Sequence, residues 1–392
     1  MWRMNAHPLS ATLSPLAARG DADGALAARD AAAAGVRVVE IASGAEWNRI
    51  VLGLGDPDLR QGFEWGELRR GSEGRPLRYA VLDSEAPVAA IAATAWHPLG
   101  SPYPLLYASR GPLLRTASAR AWQGLMDAAG DMAARTGAPF LRVSPGVPDD
   151  EPGVQAVLAE KGFVALPEEW TLWNAPRVVM TLDLRPGEAE LKRGMRESTR
   201  LSLTRVQKNG GRVDTDLSEA GVARLHRLLV AAGRRKGYPV RDLAFFQALR
   251  REYLARGDGS LAMACHGDRD LAGVLAVRFG RRAHLLYSGV DGDSAEARKL
   301  RAGTAAHWEM IRWARAAGCE SLDWGGAGTS FPARPESPGF GIYDFKRGFG
   351  CSVTHLTRYH DLVFRPVLYR AFRWLETRCA PALWRLRAHL NA

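Results

Sequence analysis

One order of elements occurs twice in this chain, and that repetition constrains the fold more than any other feature. In the first half, Arg78–Asp83, Val88–Ala93 and Leu105–Ser109 are short, strand-like apolar runs. A helical stretch ending at Gly137 follows, and then a further run at Phe140–Val143. In the second half, Leu261–Cys265, Leu271–Val277 and Leu285–Gly289 precede a helical stretch ending at Gly318, and Ser321–Trp324 follows. The copies lie about 180 residues apart. Each reads strand, strand, strand, helix, strand, with a glycine just past the helix. In a chain of 392 residues, such repetition predicts two similar α/β domains rather than one large core.

Hydrophobic residues make up 46% and charged residues 24%, the balance of a soluble globular protein. No apolar run approaches the ~20 residues that span a bilayer. The stretch 1–37 is alanine-rich and broken by charges (Arg19, Asp21, Asp23, Arg29, Asp30). It lacks the basic start and continuous apolar segment of a secretory signal and reads as a mobile leader. Cys265, Cys319, Cys351 and Cys379 have no paired spacing. That argues against a zinc site or a disulfide framework and fits a reducing cytoplasm.

The charge is the second constraint. Lys and Arg number 53 against 42 Asp and Glu, a formal net of +11 and a pI of ≈ 9.8. Such an excess favours polyanionic partners, and arginine suits bidentate phosphate contacts. An arginine bias also follows from a GC-rich genome, so the count alone does not choose. Basic residues concentrate in 190–212, a stretch expected to be helical up to Gly210-Gly211. There Arg193, Arg196 and Arg200, at i, i+3 and i+7, are expected to share one face. They concentrate again in 365–387, where Leu368, Phe372, Leu375, Leu383 and Leu386 mix with Trp374, Trp384 and arginines. This predicts amphipathic helices interrupted at Pro381, packed on the first domain or touching an anionic membrane face.

The run Gly341-Ile342-Tyr343-Asp344-Phe345-Lys346-Arg347-Gly348-Phe349-Gly350 reads as a late strand closed by a tight turn. Lys346, between Phe345 and Phe349, is expected to be partly desolvated, which suits it to stabilising an oxyanion or a phosphate. A solvent-facing lysine at a strand end is the plain alternative. There is no GxSxG elbow, P-loop or HExxH. The nine histidines are scattered without metal-ligand spacing, so no metal is expected, and His226, His284 and His307 read as core or surface residues. The turn Arg298–Gly303 is a degenerate candidate for holding a pyrophosphate, with basic side chains where close approach needs small ones.

Five motifs stand in an order that resembles the Fem-type (FemA/FemB/FemX) peptidoglycan aminoacyltransferases. They are Phe63–Arg69, Tyr107-Ala108-Ser109-Arg110-Gly111-Pro112, Met195–Arg200, Asp323-Trp324-Gly325-Gly326 and Phe345–Gly350. The resemblance runs from Trp65 to Tyr369. It implies two tandem GNAT-like domains, mixed sheets flanked by helices, with the C-terminal segment returning to the first domain. The implied boundaries are 38–178 plus 351–392 and 179–350. No sustained heptad run lies between Asp214 and Gly303, so the chain resembles members without a coiled-coil arm.

The resemblance also implies an activity. An amino acid passes from aminoacyl-tRNA, a co-substrate, to the stem peptide of a UDP- or lipid-linked muropeptide precursor, with no further cofactor. It implies a cytoplasmic enzyme with peripheral contact at the inner membrane leaflet. Lys346, with Phe345, is then the catalytic candidate. Arg69 and Arg200 are diphosphate ligands, and Tyr107 and Tyr287 bind sugar or peptide. Asp323 and Asp344 are the carboxylates nearest to a general base. Leu113-Leu114-Arg115 stands where relatives carry an acidic residue, and Leu201 where they carry a tyrosine, which leaves the acceptor open. Two other readings stay open: a GNAT-like transferase using acyl-CoA, and tRNA-dependent transfer to an acceptor outside the cell wall.

Overall fold

The computed structural model describes residues 36–70, 74–98, 101–151, 153–167, 176–328 and 331–378. Strand β1 (Val36–Glu40) and helix α1 (Gly44–Gly53) lead through a 3-10 turn (Leu59–Gln61) into α2 (Phe63–Arg69). The first repeat follows as β2 (Arg75–Asp83), β3 (Ala86–Trp96), β4 (Leu105–Arg110), the short β5 (Leu113–Leu114), α3 (Ala119–Thr136) and β6 (Phe140–Pro145). Then come α4 (Val154–Glu160), β7 (Phe163–Ala165) and β8 (Val178–Asp183). Three short helices, α5 (Glu188–Gly194), α6 (Glu197–Arg200) and α7 (Arg205–Lys208), precede β9 (Arg212–Thr215), α8 (Glu219–Lys236) and α9 (Leu243–Glu252). The second repeat is β10 (Gly259–His266), β11 (Arg269–Phe279), β12 (Arg282–Val290), α10 (Ala295–Leu300), α11 (Ala302–Ala316) and β13 (Ser321–Gly326). Helix α12 (Phe340–Gly348), β14 (Ser352–His355), β15 (His360–Val363) and α13 (Pro366–Arg378) complete the described chain.

The strands form two mixed sheets. The first runs β1-β2-β3-β4-β6-β15-β7, with β5 beside β3; the second runs β14-β8-β13-β12-β11-β10-β9. In each, the third strand of the repeat pairs parallel with the strand after the helix, β4 with β6 and β12 with β13. The repeat read from the sequence is thus two copies of one sheet unit. The helices start and stop for local reasons. Ser118 Oγ accepts from the Ala121 N–H at 3.1 Å, and Gly137 closes α3 at φ 76°. Ser218 and Gly237 do the same for α8.

The two units share apolar core. Trp47, Ile50, Val51 and Leu59 of the first pack in one cluster with Leu225, Phe246, Leu249 and Leu275 of the second. Such burial, at about 25 cal/mol per Å² of apolar surface, favours a fixed domain arrangement over a hinged one.

Several expectations need correction. Val36 and Arg37 belong to β1, so the described fold reaches into the expected leader; residues 1–35 lie outside the described residues. Ser352–His355 pairs with β8 in the second sheet, so the return to the first sheet comes later, with β15 between β6 and β7. The basic stretch 190–212 is not one helix. Met195 is extended (φ −76°, ψ 150°) and Arg196 follows at ψ 139°, so Arg193 and Arg200 sit on separate helices and share no face. The run 341–350 is a helix, not a strand, because Phe345 and Phe349, at helical i, i+4 spacing, pack together against β13. In the tail, α13 is the described part; Pro381 and the expected second helix fall outside the described residues.

Candidate active site

Segments far apart in sequence meet between the two sheets. The first is the 3-10 turn with the preceding Asp58. Buried Gln61 fixes it, donating to the carbonyls of Ser109 (2.7 Å) and Ala92 (3.2 Å) and accepting from the Ala92 N–H (3.0 Å). Trp47 Nε1 in turn donates to the Gln61 carbonyl at 2.7 Å. The second is the end of β4, which carries Tyr107 and Arg110. The third is the parallel pair β12 and β13, whose register sets His284 opposite Asp323.

These segments build a buried ionic cluster. Arg60 Nη1 donates to both Asp58 oxygens, at 2.9 and 3.0 Å, and the Arg60 N–H donates to Oδ1 at 2.9 Å. Arg110 Nε lies 3.8 Å from Asp58 Oδ2, and His284 Nδ1 lies 3.4 Å from Asp323 Oδ2. The Gly325 N–H donates to Asp323 Oδ1 at 2.6 Å. Burial opposes ionisation of Asp58, but Arg60, His284 and Arg110 outweigh it and hold its carboxyl well below the usual range. Burial opposes ionisation of Asp323 too, and contact with His284 still leaves its pKa lowered. Asp58 raises the Arg60 pKa against the pull of burial, with Asp323 and Tyr107 adding to the effect. The Arg60 charge also reaches Tyr287, whose hydroxyl pKa is raised by burial.

Ligand atoms of Asp58, His284 and Asp323 lie within 4.8 Å of one another, a donor set of the kind zinc accepts. The fit is poor, because Arg60 already engages both Asp58 oxygens and Arg110 stands beside them. A dication there competes with two guanidinium groups.

Two clefts flank the cluster. A cavity of ≈ 480 Å³ has Asp58, Arg110, Arg282 and Asp323 on its polar side and Leu113, Leu114, Trp122 and Val157 on its apolar side. A narrower cleft is lined by Arg60, Trp65, Arg69, Arg78, Tyr107 and Ser109. The segments Asp58–Arg60 and Ser109–Arg110 contribute to both.

Lys346 stands at the end of β13, but from α12. Its ammonium donates to the carbonyls of Trp324 and Gly326, each at 2.6 Å. Burial lowers its pKa, with the charge of Asp323 opposing that shift. An ammonium has three donors, of which these bonds use two; Lys346 lines neither of the two clefts. Phe345 is a packing residue: it meets His307 edge-on at 5.0 Å, in a cluster where His307 stacks on Trp324 at 13°. Burial lowers the His307 pKa to about 4.

The remaining predicted residues divide. Tyr107 is buried, its hydroxyl 3.0 Å from Ser144 Oγ, and it shares the narrow cleft with Arg69, which lies over the Trp65 ring at 5.8 Å. Tyr287 packs on Phe246 at 4.7 Å. Arg200 is exposed at the end of α6 and does not line that cleft. Asp344 is taken up by Arg196, which donates to it at 2.5 and 2.9 Å, so it is not free to act as a base. Asp58 and Arg60 escaped the sequence reading, and His284 was read there only as a core or surface residue. No local signal marks them; only the register of β12 and β13 and the Gln61 clamp bring them together.

A family model described as Acetyltransferase (GNAT) domain matches residues 193–347. A crystal structure of FemX superposes with a TM-score of 0.76 at 19% identity, over 85% of this chain and 99% of that one. The chain has the FemX fold. The resemblance read from the motifs therefore holds at the level of the fold, two tandem GNAT-like domains. A tandem GNAT protein from the clavulanic acid biosynthesis pathway superposes at 0.53 with 13% identity, over 84% of this chain and 98% of that one. A conserved protein of unknown function from Bacteroides thetaiotaomicron also gives 0.53, at 10% identity, over 83% and 99%. No curated protein matches the sequence. Among the described residues, no helix is long and apolar enough to cross a membrane.

Proposed function

We propose that this protein transfers an amino acid from aminoacyl-tRNA to an amine on the stem peptide of a peptidoglycan precursor. The observation that carries this reading is Lys346: a half-buried ammonium, aimed by two backbone carbonyls, with one donor left over. The amine attacks the ester carbonyl carbon, a C–N bond forms, and negative charge develops on the carbonyl oxygen. A preorganised cation lowers that barrier. The C–O bond to the tRNA ribose then breaks, and the proton given up by the amine leaves with the ribose oxygen. Asp344 is ion-paired and Asp323 is a weak base, so we assign neither a proton-transfer role; the ester is already activated, and positioning supplies much of the rate. The narrow cleft of Arg60, Arg69 and Tyr107 suits the precursor's diphosphate and sugar. The +11 net charge suits a tRNA donor.

The GNAT match favours a second reading, an acyl-CoA donor. Against it, the stretch before α11 is not an open turn: Ala295–Leu300 forms α10, and Arg301 stands in the left-handed region at φ 54°. The deciding experiment offers purified protein charged tRNA with a muropeptide precursor, and separately acetyl-CoA with an amine. Amino-acid transfer in the first and none in the second is expected. Acetyl transfer alone overturns the proposal.

A further inference from the structure

Helix α13 shows two unlike faces. Its inner face is tightly held. Arg142, buried in β6, donates to Asp361 of β15 at 2.8 Å twice and to Glu376 of α13 at 2.6 and 3.0 Å. Tyr369 and Phe372 pack on Phe140 at 5.2 and 5.1 Å. Tyr369, Phe372, Arg373 and Glu376 recur at i, i+3, i+4 and i+7, one stripe of a helix.

The opposite stripe holds Val367, Ala371, Trp374, Leu375 and Arg378, at i, i+4, i+7, i+8 and i+11. Val367 is 79% exposed, Trp374 60% and Leu375 50%. Val164, 48% exposed on the edge strand β7, pairs with Asp361 and so points to the same side of the sheet as α13. Exposed Arg370 borders this apolar stripe, and exposed Arg378 stands at its end. The helix's single acidic residue, Glu376, is buried in the inner ion cluster. The outward face is therefore apolar and purely cationic. The sequence continuing from it, 379–392, adds Trp384, Arg385 and Arg387 and no acidic residue.

We propose that the outward face of α13 seats the protein on an anionic lipid surface. A tryptophan and aliphatic side chains flanked by two arginines match the acyl–headgroup boundary of such a bilayer, where apolar burial and phosphate contact act together. A protein partner covering the same area would have to match two arginines with no acid among the described residues of the helix's outward face to set the register. The helix also shares a side of the first sheet with the narrow cleft, because Arg142, which holds α13, pairs with Tyr107 of that cleft. Docking thus favours a lipid-linked over a nucleotide-linked acceptor, a consequence that rests on the transfer reading above.

The test is co-sedimentation of the full chain with vesicles, without tRNA or precursor, so that its outcome is independent of the transfer reading. The protein should bind vesicles holding about one third phosphatidylglycerol, bind pure phosphatidylcholine far less, and dissociate as salt rises. The double variant Arg370→Ala/Arg378→Ala should bind the anionic vesicles roughly 20- to 30-fold more weakly. Arg370→Lys/Arg378→Lys should bind as wild type, since only charge is needed. Trp374→Ser/Leu375→Ser should lose binding while keeping the melting temperature. Normal binding by the serine variant, or no preference for anionic vesicles, overturns the proposal. So does a wild-type dimer that this variant makes monomeric, because a second copy of the chain then occupies the face.

Discussion

Replacing Lys346 by methionine keeps the stem and removes the charge, and the structure sets two separate costs. The first is to stability. The ammonium makes two short hydrogen bonds that tie α12 to the end of β13. A hydrogen bond to a charged group contributes about 1.5–3 kcal/mol, so losing the pair from a half-exposed site should cost roughly 2–4 kcal/mol. Set against the roughly 5–15 kcal/mol that holds typical proteins folded, the variant should fold, with a Tm lower by on the order of 2–5 °C. The second cost is to the reaction. Loss of one preorganised donor to an oxyanion lowers turnover about 10²–10³-fold.

The two costs separate experimentally. Phe345→Leu loosens the same helix through the aromatic cluster without touching the charge, and should cost about 1–3 kcal/mol. If the lysine acts on the oxyanion, Phe345→Leu keeps single-turnover transfer within a few-fold of wild type while Lys346→Met loses it. Lys346→Arg should not rescue, because a planar fork does not reproduce two convergent bonds from one nitrogen. The assay is thermal denaturation beside single-turnover transfer from charged tRNA below each variant's melting range. A folded Lys346→Met protein with near-normal transfer would refute the reasoning and leave the lysine as a structural clamp.

Three further outcomes are expected. Glu376→Gln or Arg142→Ala breaks a fully buried ion cluster and should cost about 3–5 kcal/mol in urea unfolding, whereas replacing Arg142, Asp361 and Glu376 together by apolar residues of similar volume should cost much less. His307 is buried neutral with a pKa near 4 in the fold against 6.5 in the open chain, so between those values the unfolded state binds more protons and stability rises with pH. Titrating the urea midpoint should show about 3 kcal/mol lost as pH falls through that window, and His307→Phe should flatten it. Arg69→Ala should weaken precursor binding and reduce its salt dependence, by isothermal titration, and Arg200→Ala should do so less, because only Arg69 lines the cleft of Tyr107; equal losses would restore Arg200 as a direct ligand.

What was legible in the sequence depended on whether the deciding contacts were local. The repeat was legible because alternation, turn residues and helix-closing glycines act within a few residues, as at Gly137. The segment around Lys346 was misread because aromatic residues between glycines resemble a strand; its helix is decided by packing on Trp324 and His307, which no window of ten residues contains. The charged residues show the limit most sharply. Arg142 and Asp323 occupy matching places, each the third residue of the strand after the repeat's helix, paired in parallel with Tyr107 and His284 respectively. Both are buried charges, and a buried charge must be paired. Arg142 is neutralised by the chain's own return, through Asp361 and Glu376, and becomes the lock for α13. Asp323 is met by His284 and by the Asp58–Arg60 pair reaching across from the other domain, and it faces a cavity. The repeated unit therefore carries one buried charged position twice. Each is set by the segment that neutralises it, and only in the second copy does that segment come from the opposite domain, beside the cavity that Asp58 and Asp323 line.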